Sequence, residues 1–127
     1  MNRRIDEYNA RRRLSQQRDK DRKKRARTVA KEFKEKARDE GSCRNPDCPK
    51  TNRYYKIAAH HIVHRSSFNP SDPLRDDVAN CMPLCFDCHT KYHQGRLGQR
   101  QDWLLPEEVA FIVEQKGRDW LERRYPR

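Results

Sequence analysis

Residues 80–93 read Asn80-Cys81-Met82-Pro83-Leu84-Cys85-Phe86-Asp87-Cys88-His89-Thr90-Lys91-Tyr92-His93. The run opens as a short strand, with Asn80–Leu84 restricted to a sheet edge by Pro83, and passes into a helix over Phe86–Gln94 that Gly95 ends. Cys85 and Cys88 make a C-x2-C pair at the junction. Upstream, Cys43-Arg-Asn-Pro-Asp-Cys48 is a C-x4-C pair, separated from the first by 36 residues. Each pair can turn two sulfurs towards one point, and two such knuckles make a closed tetrahedral zinc site. Binding of that kind contributes directly to folding. Cys81 reads as a small buried apolar residue, with exchange for one of the other four as the alternative.

Composition explains why a metal staple is needed. Of 127 residues, 33% are hydrophobic and 39% charged, which is thin material for a core. The net charge of +11 favours polyanionic partners. No run approaches the roughly 20 apolar residues of a membrane span, so no membrane association is expected. The start, MNRRIDEYNARRR, lacks the apolar segment of a secretory signal. A cytoplasmic location with reduced cysteines follows, which favours metal over disulfides.

The histidines form a set. His89 and His93, four apart on the expected helix, share a face and can bind one ion. Tyr54–Ala59 has the character of a strand, and His60-His61 closes it, so the two imidazoles point in opposite directions. One can ligate while the other acts as a base, since neutral imidazole suits proton abstraction near neutral pH. Asn80 offers an amide that could hold a backbone or an imidazole.

Taken together, Ala59-His60-His61-Ile62-Val63, Ala79-Asn80, Leu84–His89 and His93 resemble the HNH (His-Asn-His) endonuclease motif, over residues 43–95. The tandem histidines are similar to those of the colicin DNases. The cysteine pairs resemble those of zinc-containing HNH proteins from phages and restriction systems. The resemblance implies His61 as general base, His60, His89 and His93 as ligands of one catalytic divalent ion, and Asn80 as the residue that constrains the loop and orients His61. Cys43, Cys48, Cys85 and Cys88 would hold structural Zn2+. Many members carry Asp where this chain has His60; three imidazoles favour Zn2+, Ni2+ or Mn2+ over Mg2+. The implied fold is α+β: a small zinc-stapled ββα-metal element flanked by an N-terminal charged helix and C-terminal helices.

Three segments are expected. Residues 1–40 are a basic helical arm with sixteen Lys or Arg against eight Asp or Glu and no Gly or Pro. Val29, Phe33 and Ala37 recur every four residues and could pack on the domain, whereas Ser15–Thr28 has nothing large and apolar. Residues 41–97 are the nuclease core. Residues 98–127 are helical, with Pro106 at a first helical position, Glu107 and Glu108 in the first turn, and Gly117 as a stop. Arg65 near the motif, and Arg11, Arg12, Arg13, Lys23, Lys24 and Arg25 in the arm, are candidate phosphate contacts.

The expected function is metal-dependent hydrolysis of DNA, by nicking or double-strand cleavage. Resemblance to phage HNH proteins implies DNA processing or packaging, a terminase or other packaging protein as partner, and the host cytoplasm as location. Two other readings fit part of the sequence. A non-catalytic zinc-ribbon nucleic-acid-binding module explains the charge and cysteines but leaves the histidines without purpose. A subunit that stimulates a larger enzyme is the other.

Overall fold

A computed structural model describes residues 2–127. Its centre is a two-stranded antiparallel sheet of β1 (Ile57–His61) and β2 (Cys81–Cys85), in the register Ile57↔Cys85 to His61↔Cys81. The helix α2 (Phe86–His93) follows β2 without a loop, which completes a ββα unit. The N-terminal helix α1 (Arg3–Glu40) crosses one face of the sheet. The C-terminal helices α3 (Pro106–Lys116) and α4 (Arg118–Arg124) complete the main core. Among the described residues, no helix is long and apolar enough to cross a membrane. The architecture is α+β, with the cysteine cluster inside the ββα unit.

The alternation of a strand assigns the two faces. Cys81 and Ala59 meet Phe33 and Ala37 of α1. Met82 and Leu84 join the main core with Ile62, Phe111, Ile112, Leu121 and Tyr125. Of α1, residues 3–28 are exposed along their whole length, and only from Val29 does the helix gain cover. Gly41 ends α1 in the left-handed region (φ 66°) and closes against Asn52, whose amide nitrogen donates to Arg38 O at 3.1 Å. A Cβ at Gly41 would strain the left-handed backbone and stand 3.0 Å from the Asn52 amide, which would have to shift.

Two strand boundaries differ from the sequence expectation. Tyr54 and Tyr55 lie in an exposed turn rather than in β1, which begins at Ile57. Their rings take up Arg53 and Lys50 as cation–π partners, because β2 is only five residues long and pairs no further than Ile57. Asn80 sits in a 3-10 turn before β2 instead of within it, its amide diverted to loop backbone.

Glu108 is fully buried at the start of α3. Its carboxylate accepts from Lys36 Nζ at 2.6 Å, from Arg44 Nη1 at 2.5 Å and from Leu105 N at 2.9 Å. Lys36 also donates to the carbonyls of Val78 and Cys81, so one buried ion cluster joins α1, the Cys43 loop, β2 and α3. A buried carboxylate is tolerable only with this degree of pairing.

Candidate active site

The C-x4-C and C-x2-C pairs converge. The sulfurs of Cys43, Cys48, Cys85 and Cys88 all lie within 4.8 Å of one another, and Cys48 and Cys85 are 3.7 Å apart. Sulfurs on one tetrahedral zinc stand about 3.8 Å apart, so the set fits such an ion. The knuckle is built by the start of α2: Cys85 caps the helix, its sulfur accepting from Cys88 N at 3.4 Å. Asn45 Nδ2 donates to the Cys88 sulfur at 3.5 Å. Burial pushes the Cys43 thiol up to about 12 and raises that of Cys88 as well. A cation among the sulfurs reverses that balance by stabilising the thiolates. Cys81 stands apart under α1, fully buried and pushed up to about 12 by desolvation.

The strand β1 sends its last two side chains to opposite faces. His60 turns to α2, with its ring 4.1 Å from that of Tyr92, 5.1 Å from that of His89 and 6.3 Å from that of His93. On α2, His89 and His93 lie one turn apart with their Nε2 atoms 3.0 Å from each other. Two imidazole nitrogens on one tetrahedral ion stand roughly 3.4 Å apart, so this pair needs little adjustment to share a cation. His60 is 4% exposed, and its Nε2 is buried without a hydrogen-bond partner. Burial, then the neighbouring His89 and His93, lower its pKa to about 3, so the ring is neutral and able to ligate. The three imidazoles are gathered less tightly than the sulfurs. Among the described residues, only the cysteine set brings its ligand atoms within 4.8 Å.

His61 turns to α1, where its ring stacks on Phe33 at 4.3 Å between centroids. Its Nε2 is 2.8 Å from Asp76 Oδ1. Burial works against ionisation of Asp76, but the hydrogen bond from His61 and the charge of Arg75 hold its pKa below the usual value. An ionised carboxylate only accepts, so Nε2 carries the proton and Nδ1 keeps the lone pair. Burial lowers the His61 pKa, and the opposing pull of Asp76 does not restore it, so the ring is a free base at neutral pH.

Asn80 is fully buried, and the hydrogen bonds of its side chain all go to backbone. Its Oδ1 accepts from Val63 N at 2.7 Å, and its Nδ2 donates to Val63 O at 3.0 Å and Arg75 O at 2.9 Å. Val63 is two residues after His61, and Arg75 is one before Asp76. One amide therefore fixes the spacing between the imidazole and its carboxylate. Arg65 is exposed beside a cavity of about 520 Å3 that His60, His61, His89 and His93 also border. His64, next to the tandem pair, is held at its Nε2 by Tyr92 Oη at 2.9 Å. Arg11, Arg12, Arg13, Lys23, Lys24 and Arg25 are all exposed on α1; Lys24 and Arg25 flank Ser71 and Pro73.

Two members of this arrangement have no motif of their own. Asp76 falls in a loop rich in Pro, Asn, Ser and Asp. Phe33 belongs to an apolar stripe that reads as packing. The one available signal for Asp76 is its position four residues before Asn80, inside the segment that links the two motif halves.

Comparison with known proteins agrees with this geometry. Residues 43–95 match the family model for HNH endonuclease, and the chain carries an HNH endonuclease domain over that segment. Neither the curated proteins nor the solved structures include a significant match to the chain. An HNH domain supports a nuclease-type function, and the four cysteines can hold a metal such as zinc.

Proposed function

We propose that the chain is a metal-dependent endonuclease that hydrolyses DNA phosphodiester bonds at His61. The observation that carries this reading is the His61–Asp76 pair, with Nδ1 left as the basic atom, on the strand end that also presents His60 to His89 and His93.

His61 Nδ1 takes a proton from water as the oxygen attacks phosphorus in line. Asp76 keeps the ring in its reactive tautomer and stabilises the imidazolium that forms, and Phe33 fixes the ring plane. Asn80 holds both backbone segments in register. Arg65 binds a non-bridging phosphate oxygen. His60, His89 and His93 would hold a divalent ion, which supplies Lewis acidity towards the phosphate and the leaving 3′ oxygen. The leaving 3′ oxygen takes a proton from water, and the products carry a 5′-phosphate and a 3′-hydroxyl. Three imidazole donors suit Zn2+, Ni2+ or Mn2+ better than Mg2+. On resemblance alone, we place the activity in phage DNA processing or packaging beside a terminase, in the host cytoplasm.

The test is cleavage of supercoiled plasmid by the purified chain, with each of these ions and with none added. Ion-dependent nicking or linearisation is the expected result. A folded, zinc-loaded protein that fails to cut with every one of these ions sinks the reading.

The exposed part of α1 supplies contacts that carry no sequence information. It presents Arg11, Arg12, Arg13, Lys23, Lys24 and Arg25 to solvent, and each phosphate neutralised adds about 0.9 to the salt slope of binding. Deleting residues 2–28, which lie outside the packed part of the helix, should weaken DNA binding at low salt. It should also flatten the salt dependence by several units, measured by anisotropy between 50 and 200 mM salt. An unchanged slope would remove the arm from the binding surface.

A further inference from the structure

Three cavities adjoin in turn, and His61 borders the first two. The first, about 570 Å3, lies between α1 and β1 and is bordered by Lys34, Arg38 and Lys56. It shares Ala59, His61 and Arg65 with the cavity of about 520 Å3 that holds the histidine cluster. That one shares His64 and His93 with a third, about 260 Å3, bordered by Arg123 and Arg124 of α4. The shared walls make one open trough, with the candidate base and the histidine cluster at its middle.

Its charge is one-sided. The only acidic residue along it is Asp76, which is already engaged by His61. Lys34, Lys56 and Arg65 form no ion pair among the described residues. Arg123 reaches only the Asp119 carbonyl of its own helix, at 3.4 Å, and Arg124 lies over Trp120. Arg38 touches the exposed Asp39 at 3.5 Å. Lys36 and Arg44, by contrast, are held by Glu108 in the buried ion cluster. Exposed cations on both sides of a candidate cleavage centre, with no carboxylate but Asp76 along the trough, suit a polyanionic strand.

We propose that this trough is the path of the scissile DNA strand, with Lys34, Arg38 and Lys56 holding phosphates on one side of the cut and Arg123 and Arg124 on the other. The proposal rests on the endonuclease reading and adds to it a binding surface drawn from outside the matched segment, from α1 and α4.

The test uses two variants of the full chain, Lys34→Gln/Arg38→Gln/Lys56→Gln and Arg123→Gln/Arg124→Gln. All five positions are exposed, so zinc content and melting should stay at wild-type values. Binding of a labelled oligonucleotide is measured by anisotropy in a His61→Ala background. Each variant should lose about tenfold or more in affinity at low salt. The salt slope should fall by roughly two to three units for the triple variant and about two for the double. Hydrolysis of a small diester, bis(p-nitrophenyl) phosphate, should stay within about twofold of wild type, because that substrate is too short to reach either flank. Wild-type affinity and slope in both variants overturn the trough. Absence of diester and plasmid hydrolysis by the wild-type chain overturns the nuclease reading instead, and the anisotropy measurement still decides the trough.

Discussion

Replacing His61 with alanine is expected to lower plasmid cleavage by about 10²–10⁴-fold, the usual range for loss of a general base, while DNA affinity stays within about twofold. The separation of the two effects follows from the geometry. His61 is half-buried between Phe33 and Asp76, and in the proposed reading phosphate binding falls to the cations around it. Removing the imidazole takes away the proton acceptor and leaves the phosphate contacts in place. Asp76→Asn should also slow cleavage, because the ring keeps its stack on Phe33 but loses the carboxylate that sets its tautomer and stabilises the imidazolium. Initial nicking rates at saturating divalent ion, beside anisotropy on the same preparations, read both quantities. An alanine variant that cuts at the wild-type rate places the base elsewhere.

Loss of the four-thiolate site should unfold the domain. Zinc binding in small zinc-finger peptides is worth about 10–16 kcal/mol at neutral pH, whereas a domain's whole net stability is about 5–15 kcal/mol. Here Cys43, Cys85 and Cys88 are themselves part of the hydrophobic core, beside Leu84 and Trp103, so their ion and their packing go together. Cys88→Ser should therefore show no cooperative thermal transition and lose the zinc equivalent that the four thiolates hold in the wild-type chain. Helical signal from α1 would persist, so fluorescence of the buried Trp103 is the better probe. Cys81→Ala is the contrasting case: Cys81 packs on Phe33 and Ala37 outside the cluster, and the variant should keep its zinc. A cooperative melt close to that of the wild type in zinc-free Cys88→Ser would show that the core stands without the metal.

Which features could be read in advance follows from their range along the chain. The cysteine knuckles, the helix from Phe86 and the opposed directions of His60 and His61 depend on spacings of a few residues. Local geometry sets those spacings whatever the rest of the chain does. Tyr54 and Tyr55 carry strand propensity, yet β1 starts at Ile57, because pairing requires a partner and β2 has none left to offer. Glu108 reads as an acid favoured by a helix N-terminus, and it is one; its complete burial between Lys36 and Arg44 depends on residues 72 and 64 positions away. Asp76 was out of reach for the same reason. Its partner lies fifteen residues back, and what brings them together is the Asn80 amide, whose acceptors are main-chain atoms with no signature of their own. The arm residues Arg11–Arg13 and Lys23–Arg25 stood out by charge density, whereas Lys34, Arg38 and Lys56 did not, and only the latter three border the cavity beside His61.

The 38 residues of α1 also make it a measuring rod. An α-helix rises about 1.5 Å per residue, so Lys23–Arg25 stand roughly 12–15 Å along the axis from Phe33, and Arg11–Arg13 roughly 30–33 Å. Phe33 touches His61, so these are also distances from the candidate cleavage point. One turn of duplex DNA is about 34–36 Å. A duplex laid along the rod would meet a first cluster of charge less than half a turn from the cut and a second close to a full turn away, on the same side of the double helix. The interval between an anchored feature and the broken bond would then be set by the pitch of a protein helix, whatever bases lie between.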